Sequence, residues 1–532
     1  MWRGFTATID FAGTKNMKPV VNQPSSGART GSGNETRKQL RGSSLLLISR
    51  VLAGSINFSA QVLVIRYLST TDFGALAYVL SFFGFIQIFV TLGLGGATAR
   101  FVPIYHEKHE YEKLFGTIFL VVGTIVSTGL LVILAVHAVP EALLRALIDE
   151  QQPLLLLPVA SMLIPVEAID NLLTLLFASF ARARAIFFRR LLVPALKLGM
   201  VLLVILWQRD VIFLAYGYLT ISVLGVLIYS GMLIHLLHGQ GLFQHFRLQT
   251  ITVPVKELFT YALPLLMLNL LGVVMRSVNV FLLGYFHGTS EVAFFRVVLP
   301  AVLMNHLVMT SFTLLYTASA ARLFAKQDTS SMNDLYWQTA AWMAILSFPI
   351  FVVTFSLAHP VTVLLYGTRY ENSSIILAVL SLGYYCTIAL GFNELTLKIV
   401  GKMRYVLILN VLAAILHIVV NLLLIPRYGA LGAAIGTAGT MIVRSLLMQV
   451  SLRLSSGLRI FDYQYLSFYL LIMLSIFLLS LIKFFNVFNT YYILALVCLI
   501  YIILVIMSKK YLNVAGNFPE LLKIPFMRRL FL

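Results

Sequence analysis

From residue 44 onward, apolar stretches long enough to cross a bilayer follow one another almost without pause. A hydrocarbon core of about 30 Å needs roughly 20 mostly apolar residues in a helix. Spans are predicted near 44–67, 73–98, 114–138, 153–180, 187–207, 211–235, 258–285, 291–319, 336–358, 373–397, 404–425, 430–452, 463–482 and 487–507. Backbone groups inside lipid must be satisfied within the segment, which makes each span a helix. Composition agrees: 60% of the 532 residues are hydrophobic and 11% are charged, against about 25% charged in a soluble protein. Too little polar surface exists to coat a soluble enzyme. The expected fold is an all-α polytopic membrane protein of about 14 transmembrane helices.

The formal charge of +19 would point to nucleic acid in a soluble chain. Here it reports sidedness instead. Twenty-eight of the 39 Lys and Arg residues fall in the two tails and one set of loops, and six fall in the opposite turns. The positive-inside rule then puts both termini in the cytoplasm of a cell-membrane protein. Residues 1–43, rich in Gly and Ser with seven basic residues, read as a disordered cytoplasmic tail, and 508–532 as a second cytoplasmic tail. Cys386 and Cys498 lie far apart in apolar runs, so neither a disulfide nor a thiolate metal site is indicated. No Walker-type loop supports ATP hydrolysis, and no cofactor is implied.

A shift of about 219 residues aligns the two halves of the chain. Residues 68–74 fall over 287–293, Ala99-Arg100-Phe101 near Ala321-Arg322-Leu323, and 214–217 over 433–436. Each repeat holds six spans, so both begin on the same face, an arrangement used by two-lobed alternating-access transporters. The expected division is an N-lobe over 44–237, a cytoplasmic linker over 238–257, a C-lobe over 258–452, and two extra helices over 463–507. Every outer connection is short, which opposes a membrane glycosyltransferase or polymerase.

Arg66-Tyr67-Leu68-Ser69-Thr70-Thr71-Asp72-Phe73-Gly74 resembles the first outer turn of polysaccharide transporters in the multidrug/oligosaccharidyl-lipid/polysaccharide exporter superfamily. The stretch from Ile425 through Pro426, Arg427, Tyr428 and Gly429 to Ala434 resembles that family's turn from span eleven into span twelve. Leu365-Tyr366-Gly367 with Tyr370, and Leu282-Leu283-Gly284, also fit, so the resemblance runs over roughly 44–507. It implies a flippase for polysaccharide or O-antigen precursors that moves a polyprenyl-pyrophosphate-linked glycan between leaflets. Membrane lipid, glycan polymerase machinery and a coupling ion (Na+ or H+) are the other implied partners. Relatives often carry Asp late in span seven, where this chain has Asn279. Drug exporters of the same superfamily give the alternative function, cation-coupled export of small amphiphiles.

Five basic residues fall inside spans: Arg50, Lys197, Arg276, Arg296 and Arg444. An ionisable residue at that depth costs about 2.5–3.5 kcal/mol even on lenient scales, so each needs a reason. Guanidinium stays charged and binds phosphate oxygens bidentately. Arg50, Arg276, Arg296 and Arg444 are therefore the candidate substrate-binding residues of a cavity. Arg50 and Arg296 are alternatively long enough to snorkel to headgroups. Glu167, Asp170 and Asn171 share one face of span four, with Lys197 on the next helix. They form either an ion-pair cluster that fixes packing or a site for a coupling proton or cation. Glu394 and Lys398 read as an interfacial pair. His417 and Asn421 read as helix-helix hydrogen-bonding partners, and Gly429, Gly432, Gly436 and Gly439 as a close-approach stripe.

Overall fold

A computed structural model describes residues 49–139, 150–180, 183–245, 251–484 and 490–512. The tail predicted over 1–43 and most of the C-terminal tail, residues 513–532, lie outside these residues. Among the described residues there is no strand, and nine helices are long and apolar enough to cross a membrane.

The first half contains α1 (residues 49–67), α2 (Thr70–Thr91), α3 (Leu94–Glu107), α4 (Tyr111–Ala138), α5 (Gln151–Ser179), α6 (Ala183–Leu206) and α7 (Val211–Gly239). The second half contains α8 (Val255–His287), α9 (Thr289–Arg296), α10 (Leu299–Ala325), α11 (Thr329–Ser356), α12 (Ala358–Tyr366), α13 (Ser373–Ala389), α14 (Asn393–Ile399) and α15 (Met403–Ser456). Then come α16 (Leu466–Phe484) and α17 (Thr490–Leu512). Predicted span two is thus divided into α2 and α3, and span eight into α9 and α10. In span two the break has a local cause. Leu92 and Gly93 adopt positive φ of 46° and 71°, which ends α2. A Cβ on Gly93 would come 2.6 Å from the Ala262 carbonyl oxygen, so the bend also lets α8 cross closely.

The 54-residue stretch α15 is two helices joined end to end at a turn. Gly429 has non-helical angles (φ 53°, ψ −133°). Beyond it, Thr440 meets His417 (Oγ1 to Nδ1, 2.9 Å) and Arg444 meets Asn410 (Nε to Oδ1, 2.8 Å). The chain therefore turns back on itself, and the predicted spans eleven and twelve are the two arms of a tight hairpin. Gly432 and Gly436 let the arms touch: a Cβ there would overlap the Leu424 carbonyl and crowd the Asn421 side chain.

Two buried apolar clusters organise the packing. One runs through the first half and continues into the second-half segments near Val292–Val302, Tyr366–Leu380 and Ile425–Ala434. The other lies within the second half and takes in α16 and α17. The halves are consequently joined most firmly at the face that carries the 68–70 and 367–370 turns, the predicted outer face. Polar contacts there repeat the pattern. Arg66 donates to the Leu365 carbonyl (Nε, 2.9 Å) and to that of Leu364. Arg369 donates back to the carbonyls of Leu68 (2.8 Å) and Arg66. Glu150 accepts from the Thr289 N–H (2.8 Å) and from its hydroxyl, capping α9 from the other half. Gly74 leaves room for the Thr289 backbone, and Gly284 for the Tyr78 ring. On the opposite face, α3 follows α8 down to a Tyr105 to Glu257 hydrogen bond of 2.7 Å.

Candidate functional site

Arg276 lies on α8, exposed, with no carboxylate partner among the described residues. Its charged neighbour is a second cation, Arg296 at the end of α9. Arg296 reaches across to the Ser81 hydroxyl on α2, while its Nε is buried and unpartnered. Two guanidiniums therefore share one region of the interface between the halves. Moving an ion out of water costs several kcal/mol when nothing repays it. An unfilled donor on such an ion is a binding position for an anion.

Arg50 sits lower. It lies 17 residues before the end of α1, whereas Arg276 lies 11 before the end of α8, a difference of about 9 Å at 1.5 Å per residue. Its charged neighbour is Arg190 on α6, which also feels Arg189. The predicted loop over 181–190 is shorter than expected, since α6 begins at Ala183 and carries Arg189 and Arg190 inside the helix. Their apolar surroundings (Phe187, Phe188, Leu191, Leu192) could have signalled this from the sequence.

Glu167, Asp170 and Lys197 are brought together around a cavity of about 220 Å³, with Asn171, Val193 and Ser222. The pairing differs in detail from the expected cluster. Asp170 is held through both oxygens by Arg189 (Nε to Oδ1, 2.8 Å), with the Tyr229 ring 5.8 Å from that guanidinium. Lys197 pairs with Glu167 at 3.8 Å and sits 5.4 Å from the centre of the Tyr218 ring.

Arg444 stands apart from the other candidates. It is committed to Glu394 and to Asn410, and Lys398 takes the other Glu394 oxygen at 2.7 Å. With His306 and Tyr384, Glu394 and Arg444 line a second cavity of about 190 Å³ in the second half, whose wall mixes polar groups with Met, Phe, Leu and Ile side chains. His417 and Asn421 bond within the α15 hairpin, as helix-helix partners do: the Asn421 amide donates to the His417 carbonyl at 2.7 Å. Asn279 donates to Thr437 at 2.8 Å. Arg66 and Arg369, which sequence reasoning treated only as outer-turn charges, form the interhalf clasp. The quoted Arg66–Gly74 and Leu365–Tyr370 motifs were the available signal.

Comparisons with known proteins agree with this architecture. The chain is 23% identical over 420 residues to an uncharacterized membrane protein of Methanocaldococcus jannaschii, covering 75% of this chain and 81% of the other. The solved structure of lipid II flippase MurJ in an inward closed conformation superposes with a TM-score of 0.68 at 15% identity, over 90% of this chain and 99% of MurJ. An inward-facing multidrug resistance MATE transporter of the MOP superfamily gives 0.62 at 12% identity, over 77% and 98%. At these identities the two structures establish a shared multi-pass membrane fold. A family profile described as "Polysaccharide biosynthesis protein" matches residues 39–316, just over half of the chain. The chain belongs to the polysaccharide biosynthesis protein family.

Proposed function

We propose that the protein is a flippase that carries a lipid-linked oligosaccharide or polysaccharide precursor across the cell membrane by alternating access. The observation that carries this reading is the Arg276 and Arg296 pair. It consists of two neighbouring guanidiniums with no carboxylate partner among the described residues, one holding a buried unfilled donor. A pyrophosphate supplies the missing negative charge and enough oxygens for bidentate bonds to both. Arg50, lower on α1, offers an earlier station for the same group. The family match and the likeness to a lipid II flippase support the substrate class.

In this reading both termini are cytoplasmic and the halves act as two lobes that rock about the bound headgroup. The arginine clasp at residues 66–68 and 364–369 closes the outer side. Coupling to Na+ or H+, and contact with glycan polymerase machinery, belong to the same proposal. The protein performs no catalytic step. The competing function is cation-coupled export of small amphiphiles, and paired guanidiniums favour an anionic substrate over a neutral or cationic one. Replacing Arg276 by Ala in cells that make the surface glycan tests the proposal. Export should fall at least about tenfold, the loss of roughly one charge-assisted hydrogen bond, with protein abundance unchanged. Normal export at normal abundance contradicts it.

A further inference from the structure

The first-half cavity is built from groups that suit sugar hydroxyls. Glu167 and Asn171 stand on α5, Lys197 on α6 and Ser222 on α7, around about 220 Å³. This is smaller than the ~300–1,000 Å³ of pockets for drug-sized ligands, so it has room for one sugar-sized unit rather than a chain. The Glu167 side chain is 47% exposed although it lies near the middle of a span. A carboxylate facing hydrocarbon there would be costly, so it faces water in the cavity.

The hydrogen-bonding capacity of the walls is largely uncommitted. Glu167 and Lys197 stand 3.8 Å apart, beyond hydrogen-bond distance, and Asn171 makes no side-chain hydrogen bond among the described residues. A sugar hydroxyl donates and accepts at once. A carboxylate accepts, an ammonium donates and an amide does both, so the three together match a ring with adjacent hydroxyls. Asp170 is different, since Arg189 occupies both its oxygens. The second-half cavity lacks this character: its carboxylate, Glu394, is already held by Arg444 and Lys398.

We infer that this cavity is a glycan subsite, in which Glu167, Asn171 and Lys197 bind one sugar of the lipid-linked glycan. The inference rests on the proposed flippase function. It assigns the Glu167 cluster to substrate recognition rather than to packing alone or to ion coupling.

The test is binding of two probes to the purified full chain in detergent by native mass spectrometry. The probes are undecaprenyl pyrophosphate and the same lipid bearing one N-acetylhexosamine. The wild-type chain should bind the glycosylated lipid about tenfold more tightly than the bare one. Glu167→Gln and Asn171→Ala should each remove most of that advantage and leave bare-lipid binding unchanged, which also shows that the variants are folded. Should the wild type bind both probes equally, or should both variants keep the full advantage, the subsite is overturned while the flippase reading stands. If the wild type binds neither pyrophosphate better than undecaprenol, the flippase reading fails and the subsite with it.

Discussion

A guanidinium inside a membrane protein is informative through what it touches. Arg189 and Asp170 satisfy each other, with side chains only 12% and 25% exposed. Removing one partner of a buried pair costs about 3–5 kcal/mol, because the other charge is left uncompensated. Asp170→Ala should therefore lower thermal stability by about 3 kcal/mol. The double variant Asp170→Leu/Arg189→Met should recover most of it, as scored by unfolding midpoint in detergent. Arg296 predicts the opposite pattern. Its Nε lacks a partner, so Arg296→Met should leave stability unchanged or raised while substrate binding drops about tenfold or more. A thermal shift assay with and without lipid pyrophosphate separates the two effects. The sequence marked Arg276, Arg296 and Arg444 alike as cations inside spans, without showing what each one touches. Only the fold reveals that Arg444 already has Glu394 and Asn410 as partners.

At the scale of elements, glycines decide where helices bend and meet. Gly429 has φ of 53° and faces Glu291, whose Oε2 accepts from the Ala430 N–H at 2.7 Å and would lie 2.6 Å from an added Cβ. Gly429→Ala adds backbone strain of order 1 kcal/mol to that clash, so expression and melting temperature should both fall. The helices themselves were readable from hydropathy: among the described residues the predicted spans fall on helices, on consecutive helices or, for spans eleven and twelve, on the two arms of α15, and nine helices are long and apolar enough to cross a membrane. The interruptions at Leu92–Gly93, Val297–Val298 and Gly391 were not readable. They answer to contacts with helices distant in sequence, which a count of apolar residues does not register. The hairpin in α15 was half readable: the Pro426–Gly429 turn was visible, its tightness was not.

Across the whole molecule, the feature that matters is the reciprocal clasp between the halves at the face of the 68–70 and 367–370 turns. The reciprocal bonds of Arg66 and Arg369 tie that face shut, and Gly74 permits the backbone contact beneath them. Spin labels at Thr71→Cys and Asn372→Cys, both exposed, should report one short distance in a Cys386→Ser/Cys498→Ser background. Arg66→Ala/Arg369→Ala should add a longer population, and Gly74→Ala should deplete the short one. The internal repeat pointed to two halves of like topology, yet no repeat specifies which face is closed. That depends on a handful of side chains whose partners lie some 300 residues away. The account as a whole stands on transport itself. The decisive measurement places the purified full chain in vesicles with a labelled polyprenyl-pyrophosphate-linked oligosaccharide and follows exchange between leaflets. The wild type should move the lipid, and Arg276→Ala/Arg296→Ala should be at least tenfold slower at equal incorporation. Equal rates for the two proteins, or transport of a small amphiphile in place of the glycolipid, would contradict it.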